Sequence, residues 1–283
     1  MTVVQLPQSP TETRRRQHPY GLYAALAVTA FFVVALVAPQ ALATHDPFAL
    51  ALDDALQPPS LTHWFGTDEQ GRDLYSRVVF GARESLLIGA GATAVSMTLA
   101  LILGAAASLG GRVVGAVAAR VIEIQFAFPT LLLALLLVAI AGPSAMSQVF
   151  AIAIGTAPGY ARMVRAQILA AKTGGYVEAA TALGHSRGRI LARHIIPNAV
   201  RPLVAVIAMS VGQSIVWASS LSFLGLGVAP PSPEWGALLE AGRLYITHAP
   251  WLTVMPGLVI VVIAITATTI GQHVQRALER GEK

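Results

Sequence analysis

The sequence contains no cysteine and unusually few charged residues for its 283-residue length. Without a thiol, the chain can form no disulfide, no thiolate nucleophile and no cysteine-ligated zinc or iron–sulfur site. Charged residues make up 12% of the chain and hydrophobic residues 55%, whereas soluble domains contain about 25% charged and 45–50% apolar residues. So little charge argues against a soluble enzyme, a disordered chain and a nucleic-acid-binding module. The mean hydropathy of +0.64 instead fits a protein whose solvent is largely lipid.

Two common signatures of catalytic sites are also missing from the chain. There is no GxxxxGK[ST] phosphate loop, and no two of the seven histidines form an HExxH pair. Ser144 has no evident histidine partner, so an intramembrane serine protease has little support. The sequence therefore predicts no enzyme, no metal and no cofactor in this chain.

Six apolar stretches are candidates for membrane helices, each of which needs about 20 residues. The first, residues 21–38, follows three arginines at positions 14–16. A signal peptide is the rival interpretation, but its apolar core would cover only about 7–15 residues before a small-residue cleavage site. This run is longer and continues to residue 43, which favours an uncleaved helix. The other predicted spans are residues 85–109, 121–141, 145–161, 202–226 and 252–271.

The basic residues predict the orientation of these six helices. With an even number of spans both termini lie on one side, and 15 of the 19 lysines and arginines then fall on the side of the termini. Cytoplasmic loops carry the excess of lysine and arginine, so both termini are predicted to be cytoplasmic in a bacterial cell membrane. This also explains the net charge of +5 without nucleic acid.

The predicted spans divide the chain into five segments. They are a cytoplasmic tail at 1–20, a first transmembrane helix at 21–43, an extracytoplasmic segment at 44–84, a core at 85–271 with helices two to six and a long inner loop at 172–200, and a cytoplasmic tail at 272–283. A protein that only anchors itself in a membrane needs no long loops, so these loops are the first indication of function.

The inner loop predicts two short helices with a bend. Residues 176–183 favour a helix, with Val177, Ala180 and Leu183 near one face. Gly184 suits a helix end or a tight turn, residues 190–196 can form the second helix, and Pro197 opens the approach to the fifth span. The simplest interpretation is a short surface helix that only joins two spans.

The outer segment offers oxygen ligands around Asp68 and Asp73, which could suggest a metal. Calcium takes six to eight oxygens at closer spacing than this, so a turn followed by an interfacial helix is the preferred prediction. Arg83 and Glu84 are expected to mark the beginning of the second span. Glu123 is the one acid that falls within a predicted span, either at a functional position or at headgroup level.

Several segments together resemble a known family. Glu178-Ala179-Ala180, followed by Gly184 and by Ile195-Ile196-Pro197, resembles the EAA loop of ABC-importer permeases. Further segments resemble the C-type subunit of the dipeptide/oligopeptide subgroup: residues 63–73, 80–89, 126–129, 224–236 and 250–257. The resemblance covers residues 60–271, about three-quarters of the chain.

The resemblance implies an all-α membrane protein with the type I ABC-importer permease fold of six transmembrane helices. It implies a binding-protein-dependent importer of dipeptides or oligopeptides, in which this chain forms half of the translocation pathway. The implied partners are a homologous second permease, two ATPase subunits that bind ATP and Mg, and an extracytoplasmic substrate-binding protein. The EAA helix would couple to an ATPase through Tyr176, Glu178, Ala179, Ala180, Leu183, Gly184 and Pro197.

Three further questions stay open from the sequence alone. Gln213, Ser214, Ser219 and Ser220 could line a polar path or form helix–helix contacts. An ion-coupled secondary transporter is the alternative function, although it would be expected to have midplane acids or unwound helices. The substrate could be a dipeptide, oligopeptide, glutathione, nickel complex or sugar, because selection is expected to lie largely in the binding protein.

Overall fold

The computed structural model describes residues 20–280, with side chains described as far as residue 278. The predicted tail at 1–20, except for Tyr20, therefore lies outside the described residues. Within them the chain is helical, and its one β-bridge joins Thr67 to Asp73. The predicted all-α class is confirmed.

The helices follow the apolar stretches of the sequence, with shorter helices in the loops. In chain order they are α1 (Tyr20–Val37), α2 (Leu74–Leu109), α3 (Gly111–Phe126), α4 (Thr130–Ala141), α5 (Ala145–Lys172), α6 (Gly175–Ala182), α7 (Arg187–Ile190), α8 (Ile196–Leu221), α9 (Trp235–Gly242) and α10 (Trp251–Arg280).

Four of the described helical stretches are long and apolar enough to cross a membrane. They are α1, α2, the stretch Arg187–Leu226 that contains α8, and α10, and the bent pair α3 and α4 makes a fifth if it is counted as one span. α5 has 28 residues, which is long enough to span a bilayer, but it is less apolar. It packs along α2, α4 and α8, so much of its surface faces protein.

The helix that contains the second predicted span begins earlier than residue 85, at Leu74, and directly follows the turn of the outer segment. Asp73 is the N-cap residue, and its Oδ2 accepts a hydrogen bond from the Ser76 backbone N–H at 2.8 Å. The arginines near this end were expected outside the helix, yet Arg77 is buried within it.

The third predicted span, residues 121–141, is broken rather than continuous. α3 ends at Phe126, α4 begins at Thr130, and the two axes meet at 90°. Pro129 stands at the junction, and the residue before a proline is disfavoured in the α conformation. A single straight helix through this segment was therefore a wrong prediction.

The two remaining differences lie at the inner side. The second short helix of the inner loop is not separate, because α7 runs through a π-helical segment, Leu191–Ile195, directly into α8. The predicted tail at 272–283 is helical as far as Arg280, where α10 ends. The π segment between α7 and α8 has a physical reason in Pro197. A proline inside a helix clashes with the carbonyl four residues earlier, and the wider π turn before Pro197 relieves that clash.

Three apolar clusters hold the bundle together. One joins α1, α2, α9 and α10 around Trp235, a second joins α2, α4, α5 and α8, and the third joins α5, α6, α7 and the start of α8. α8 and α10 pack closely at Gly212, where an added Cβ would lie 3.0 Å from the Ala264 backbone, and at Gly271, where it would lie 2.9 Å from the Ala205 carbonyl. Small residues permit such close contacts between membrane helices.

Candidate functional site

The helix α6 is ended by a glycine, as its sequence predicts. Gly184 has a positive φ of +76°, a conformation that costs other residues energy. Its N–H bonds to the Thr181 carbonyl at 3.0 Å, and the His185 N–H bonds to the Ala180 carbonyl at 3.1 Å. This pair of bonds is the Schellman arrangement, which satisfies the last carbonyls of a helix.

One face of α6 is packed against the bundle, and the other faces solvent. Ala180 is buried in the same cluster as Ile168 of α5 and Ile190 of α7. Glu178 and Ala179 are exposed, and Leu183 is 76% exposed. The predicted coupling residues therefore divide: Ala180 anchors the helix, whereas its neighbours form the surface that another protein can reach.

Aromatic rings support the start of α6. The Tyr176 hydroxyl donates a hydrogen bond to the Ala171 carbonyl at the end of α5, at 2.9 Å. The Tyr176 and His194 ring centroids lie 6.3 Å apart, and those of His194 and His185 lie 6.4 Å apart. α6 is thus tied to the end of α5 on one side and to the π segment on the other.

The last predicted coupling residue, Pro197, lies at the first turn of α8 and is exposed. In the sequence it comes after the π segment and is separated from α6 by α7 and that segment. The inner surface that we call the α6 face consists of the exposed predicted coupling residues of α6 and its C-terminal end, namely Tyr176, Glu178, Ala179, Leu183 and Gly184.

The four predicted path residues do not line one polar channel. Ser214 is buried, with its hydroxyl 3.1 Å from that of Thr93 on α2. Ser219 is also buried, and its hydroxyl has no hydrogen-bond partner among the described residues. Ser214 therefore lies on the packed side of α8, whereas Ser219, although buried, lines a cavity together with Ser220.

Gln213 and Ser220 lie on the other side of α8, seven residues apart on one helix face. The Ser220 hydroxyl donates to the Val216 carbonyl at 2.8 Å and lines a cavity of about 360 Å³. The Tyr160 hydroxyl donates to Gln213 Oε1 at 3.2 Å. Gln213 is exposed and lines a different cavity.

That second cavity, of about 400 Å³, gathers residues that, apart from Gln213, were not predicted to line a path. It lies at the α3–α4 corner and is lined by Phe126, Phe128, Pro129, Thr130, Gly155, Thr156, Gly159, Tyr160, Gln213 and Trp217. The Arg162 guanidinium sits over the Phe126 ring at 3.7 Å, a cation–π contact. Pro129 was the sequence signal for this corner, because prolines interrupt helices.

Glu123, the acid within the third predicted span, is not buried. Its Oε2 accepts a hydrogen bond from Arg120 Nη1 at 3.0 Å, and both side chains are more than half exposed. This exposed pair on α3 supports the headgroup-level alternative over a charge in the middle of the bundle.

The outer segment contains buried charges that are all paired. Asp68 accepts hydrogen bonds from the Gln70 and Arg72 backbone N–H groups, both at 2.9 Å, and from Arg72 Nε at 2.6 Å. Arg77 Nε lies 3.5 Å from the same carboxylate. Because cations and N–H groups already surround Asp68, it is not available as a calcium ligand.

A second buried carboxylate begins α9. Glu234 is fully buried and caps the helix by accepting hydrogen bonds from Gly236 and Ala237 N–H, both at 2.9 Å. Burial raises the pKa of the Glu234 carboxyl above its usual range, against the lowering effect of these hydrogen bonds. The adjacent Trp235 indole donates to the Val78 carbonyl at 2.8 Å, which joins the outer loop to α2.

Comparison with known proteins places these features among transport proteins. The family model described as binding-protein-dependent transport system inner membrane component matches residues 96–281. The dipeptide transport system permease protein DppC of Alkalihalophilus pseudofirmus is 36% identical over 265 residues, covering 93% of this chain and 86% of the relative. The probable D,D-dipeptide transport system permease protein DdpC of Escherichia coli is 37% identical, covering 92% and 87%.

A third relative and two solved structures extend the comparison. The glutathione transport system permease protein GsiD of Pectobacterium atrosepticum is 39% identical over 78% of this chain and 73% of its own. A crystal structure of an amino acid ABC transporter with histidines matches with a TM-score of 0.60 and 18% identity, covering 72% of this chain and 94% of that chain. An inward-facing MetNI methionine ABC transporter also has a TM-score of 0.60 and 18% identity, covering 72% and 97%. At this identity the two structures show a shared fold only.

Proposed function

The chain belongs to the family of binding-protein-dependent transport system inner membrane components, and from that premise we propose that it is the permease half of an ATP-driven importer of small peptides. Relatives named as dipeptide and glutathione permeases, which match most of the chain, support this substrate class. We propose a homologous second permease, two ATPase subunits and an extracytoplasmic binding protein as its partners. ATP and Mg belong to the ATPase subunits, and this chain needs no cofactor of its own.

The proposed topology has six spans with both termini in the cytoplasm. The bent pair α3 and α4 is the third span and α5 is the fourth. The lower hydropathy of α5 fits a central position, because a helix surrounded by protein needs less apolar surface than one surrounded by lipid. The distribution of basic residues supports the cytoplasmic position of both termini.

The observation that carries the coupling role is Leu183, a large apolar side chain that is 76% exposed on the inner loop. On the proposed topology this residue faces the cytoplasm rather than lipid. A leucine exposed among the small residues Ala179 and Gly184 suits a docking surface, because apolar contacts and close approach both favour association. We therefore assign the α6 face as the surface that contacts an ATPase.

The packing of α6 explains how movement would reach the membrane. Ala180 fastens α6 to α5 and α7, and α7 continues into α8. A displacement of α6 therefore has to move α5 and α8 together. ATP shifts the transporter between its states only through different affinity for them, and a change from 1:99 to 99:1 takes about 5.5 kcal/mol.

We place the translocation path along the side of α8 that carries Gln213, Val216 and Ser220. These residues follow a spacing of three and four, so they share one helix face, and that face borders two cavities. The polar groups of Gln213, Tyr160 and Thr156 can bond to a peptide backbone. Ser214 serves packing instead, whereas Ser219 lines the same cavity as Val216 and Ser220.

The test of this function is a substitution on the α6 face in the assembled transporter. Leu183→Glu should abolish most peptide uptake and most substrate-stimulated ATP hydrolysis, while the protein inserts and folds normally because the side chain is exposed. The matched control is Leu244→Glu, since Leu244 is also 76% exposed but lies beside α9. Both activities are measured in vesicles that contain all subunits and receive a dipeptide from the binding protein.

Two results would contradict the proposal. Equal uptake by the Leu183 and Leu244 variants would remove the α6 face from the coupling path. Peptide uptake by this chain without ATPase subunits, driven by an ion gradient, would instead indicate the secondary transporter that the sequence left as the alternative.

A further inference from the structure

Three potential metal ligands meet in the outer segment, away from the α6 face and from the proposed path. They are His45, His63 and Asp73, and their ligand atoms all lie within 4.8 Å of one another. His63 Nδ1 is 2.9 Å from Asp73 Oδ1, and His45 Nδ1 is 3.8 Å from the same oxygen. The two imidazole rings face each other with centroids 4.7 Å apart.

Each of the three residues is held in place by the backbone around it. The backbone N–H groups of Thr44 and His45 both donate to the Ser76 hydroxyl, at 3.2 and 3.0 Å. The His63 N–H donates to the Ser60 hydroxyl at 3.0 Å. Asp73 caps α2 through Oδ2, which leaves Oδ1 directed at the two histidines. The backbone contacts order the cluster, and two of its ligand atoms also have polar partners: His45 Nδ1 lies 3.0 Å from the Thr44 hydroxyl, and His63 Nδ1 lies 2.9 Å from Asp73 Oδ1.

The capping role of Asp73 does not account for the second histidine. A capping carboxylate needs one N–H partner, and His63 already satisfies the other oxygen. His45 is 43% exposed in its side chain, yet it lies over His63 rather than extending into solvent. Two imidazoles beside one carboxylate oxygen are a combination that a shared cation explains directly.

The distances fit a small transition-metal ion. Zinc binds histidine nitrogen at about 2.0–2.1 Å and carboxylate oxygen at about 2.0–2.2 Å, so tetrahedral ligand atoms lie roughly 3.4 Å apart. The His63–Asp73 distance of 2.9 Å and the His45–Asp73 distance of 3.8 Å lie on either side of that value, and all three ligand atoms lie within 4.8 Å of one another. Calcium and magnesium are excluded by the donor set, because those ions prefer oxygen ligands, whereas imidazole suits zinc and its neighbours.

We propose that His45, His63 and Asp73 form a binding site for a divalent transition metal of the zinc class, with water as the fourth ligand. The Thr44 hydroxyl donates to Asp73 Oδ2 at 3.3 Å. This bond orients the carboxylate through the oxygen that is not the proposed ligand atom. Such supporting bonds orient metal ligands. The metal connects the chain after α1, the turn at His63 and the start of α2. Its effect is to stabilise the outer segment.

The experiment uses the full chain purified in detergent, with any affinity tag removed and bound metal extracted with a chelator. Equilibrium dialysis against Zn²⁺ should give one ion per chain, and added Zn²⁺ should raise the melting temperature. Co²⁺ should give the visible absorption of a four-coordinate site with nitrogen and oxygen ligands. His45→Asn should weaken Zn²⁺ binding by at least about tenfold and remove the melting-temperature rise.

The controls separate metal binding from a structural hydrogen bond. His248→Asn removes another exposed histidine of the same outer side and should leave binding unchanged. His45→Asn should melt at the parent temperature in chelator, because this histidine is exposed, so its effect on Zn²⁺ binding is not an effect of unfolding. Less than one Zn²⁺ per chain, or equal affinity in the His45 and His248 variants, would overturn the proposal.

Discussion

The outer segment at residues 44–73 and the inner helix α6 are both loops between spans, but they are built in opposite ways. The outer segment buries charged groups, and Asp68, Arg72 and Arg77 lie together with almost no exposure. α6 buries only Ala180 and exposes Leu183. Polar groups that bond to one another hold the shape of the outer segment, although its Leu52 and Leu61 are 72% and 97% exposed. The two loops therefore differ in what they bury, and both expose apolar side chains that another protein can contact.

Breaking the outer ion cluster should have the largest effect on stability. Asp68→Asn removes the carboxylate beside the buried Arg77 and leaves Arg72 with only Glu69, and loss of one partner of a buried ion pair costs about 3–5 kcal/mol. The free energy of unfolding in detergent should fall by that amount. No substitution on the exposed side of α6 should approach it.

The control for this prediction is Asp53→Asn in the same outer segment. Asp53 is exposed, and surface substitutions usually change stability by less than about 0.5 kcal/mol. Equal losses for the two variants would mean that the burial of Asp68 contributes nothing, and the contrast between the two loops would then be lost.

A backbone substitution in the inner loop should have a smaller effect on stability and a larger one on transport. Gly184→Ala has room for its methyl group, since nothing lies within 4 Å, but the positive φ costs about 1–2 kcal/mol. We expect faster amide exchange in α6 and less uptake per ATP hydrolysed. Gly188→Ala is the matched control, because Gly188 is also open but its φ is not positive, and alanine should favour the helix by about 0.5–1 kcal/mol.

Normal coupling in the Gly184 variant, together with unchanged amide exchange in α6, would show that the bend does not set the position of the α6 face. Reduced coupling in the Gly188 variant alone would mean that the backbone of α7, rather than the bend at the end of α6, is needed for coupling.

The smallest predicted effect concerns pH and the buried Glu234 of the outer side. Its pKa is higher in the folded protein than in the unfolded chain, mainly because of burial. The associated stabilisation is fully present below the unfolded pKa of about 4.3 and is lost as the pH rises through the folded pKa. The slope cannot exceed about 1.4 kcal/mol per pH unit for one proton.

Glu234→Gln cannot ionise, so its stability should fall less steeply than that of the parent protein between about pH 4 and pH 8. The measurement compares the slopes of stability against pH rather than the stabilities themselves. The reason is that the glutamine amide can accept only one of the two capping hydrogen bonds, so the variant is also less stable at every pH. Glu240→Gln, a change at a partly exposed carboxylate, should keep the parent slope. A parent slope retained by the Glu234 variant would assign the pH dependence to other groups.

Helix positions were predictable where hydropathy alone decides them. The first span was predicted at 21–38, and α1 is Tyr20–Val37, because no charge lies within it. The start of α2 was not predictable in this way, since Arg77 interrupts the apolar run. Its partner, Asp68, lies in a turn that precedes the helix, and a hydropathy reading contains no information about such partners.

The α6 face was also predictable only in the part that local sequence decides. The glycine that ends α6 follows from local backbone chemistry, and the sequence contains it. The inward direction of Ala180 depends on which side of α6 meets α5, and that is a tertiary contact. The cluster of His45, His63 and Asp73 was missed because 28 positions separate its first and last members and only the folded outer segment brings them together.

The continuity of α7, the π segment and α8 has a mechanical consequence. If this long helical unit tilts about the close contact of Gly212 with Ala264, the pivot is 25 residues from Arg187 and 9 residues from Leu221. At 1.5 Å per residue the two arms measure about 37 Å and about 13 Å. A lever with these arms reduces a displacement of the cytoplasmic end roughly threefold at the opposite end and increases the force by the same ratio. A large displacement imposed by the ATPase on the inner loop would then become a smaller, more forceful displacement at the outer end of α8.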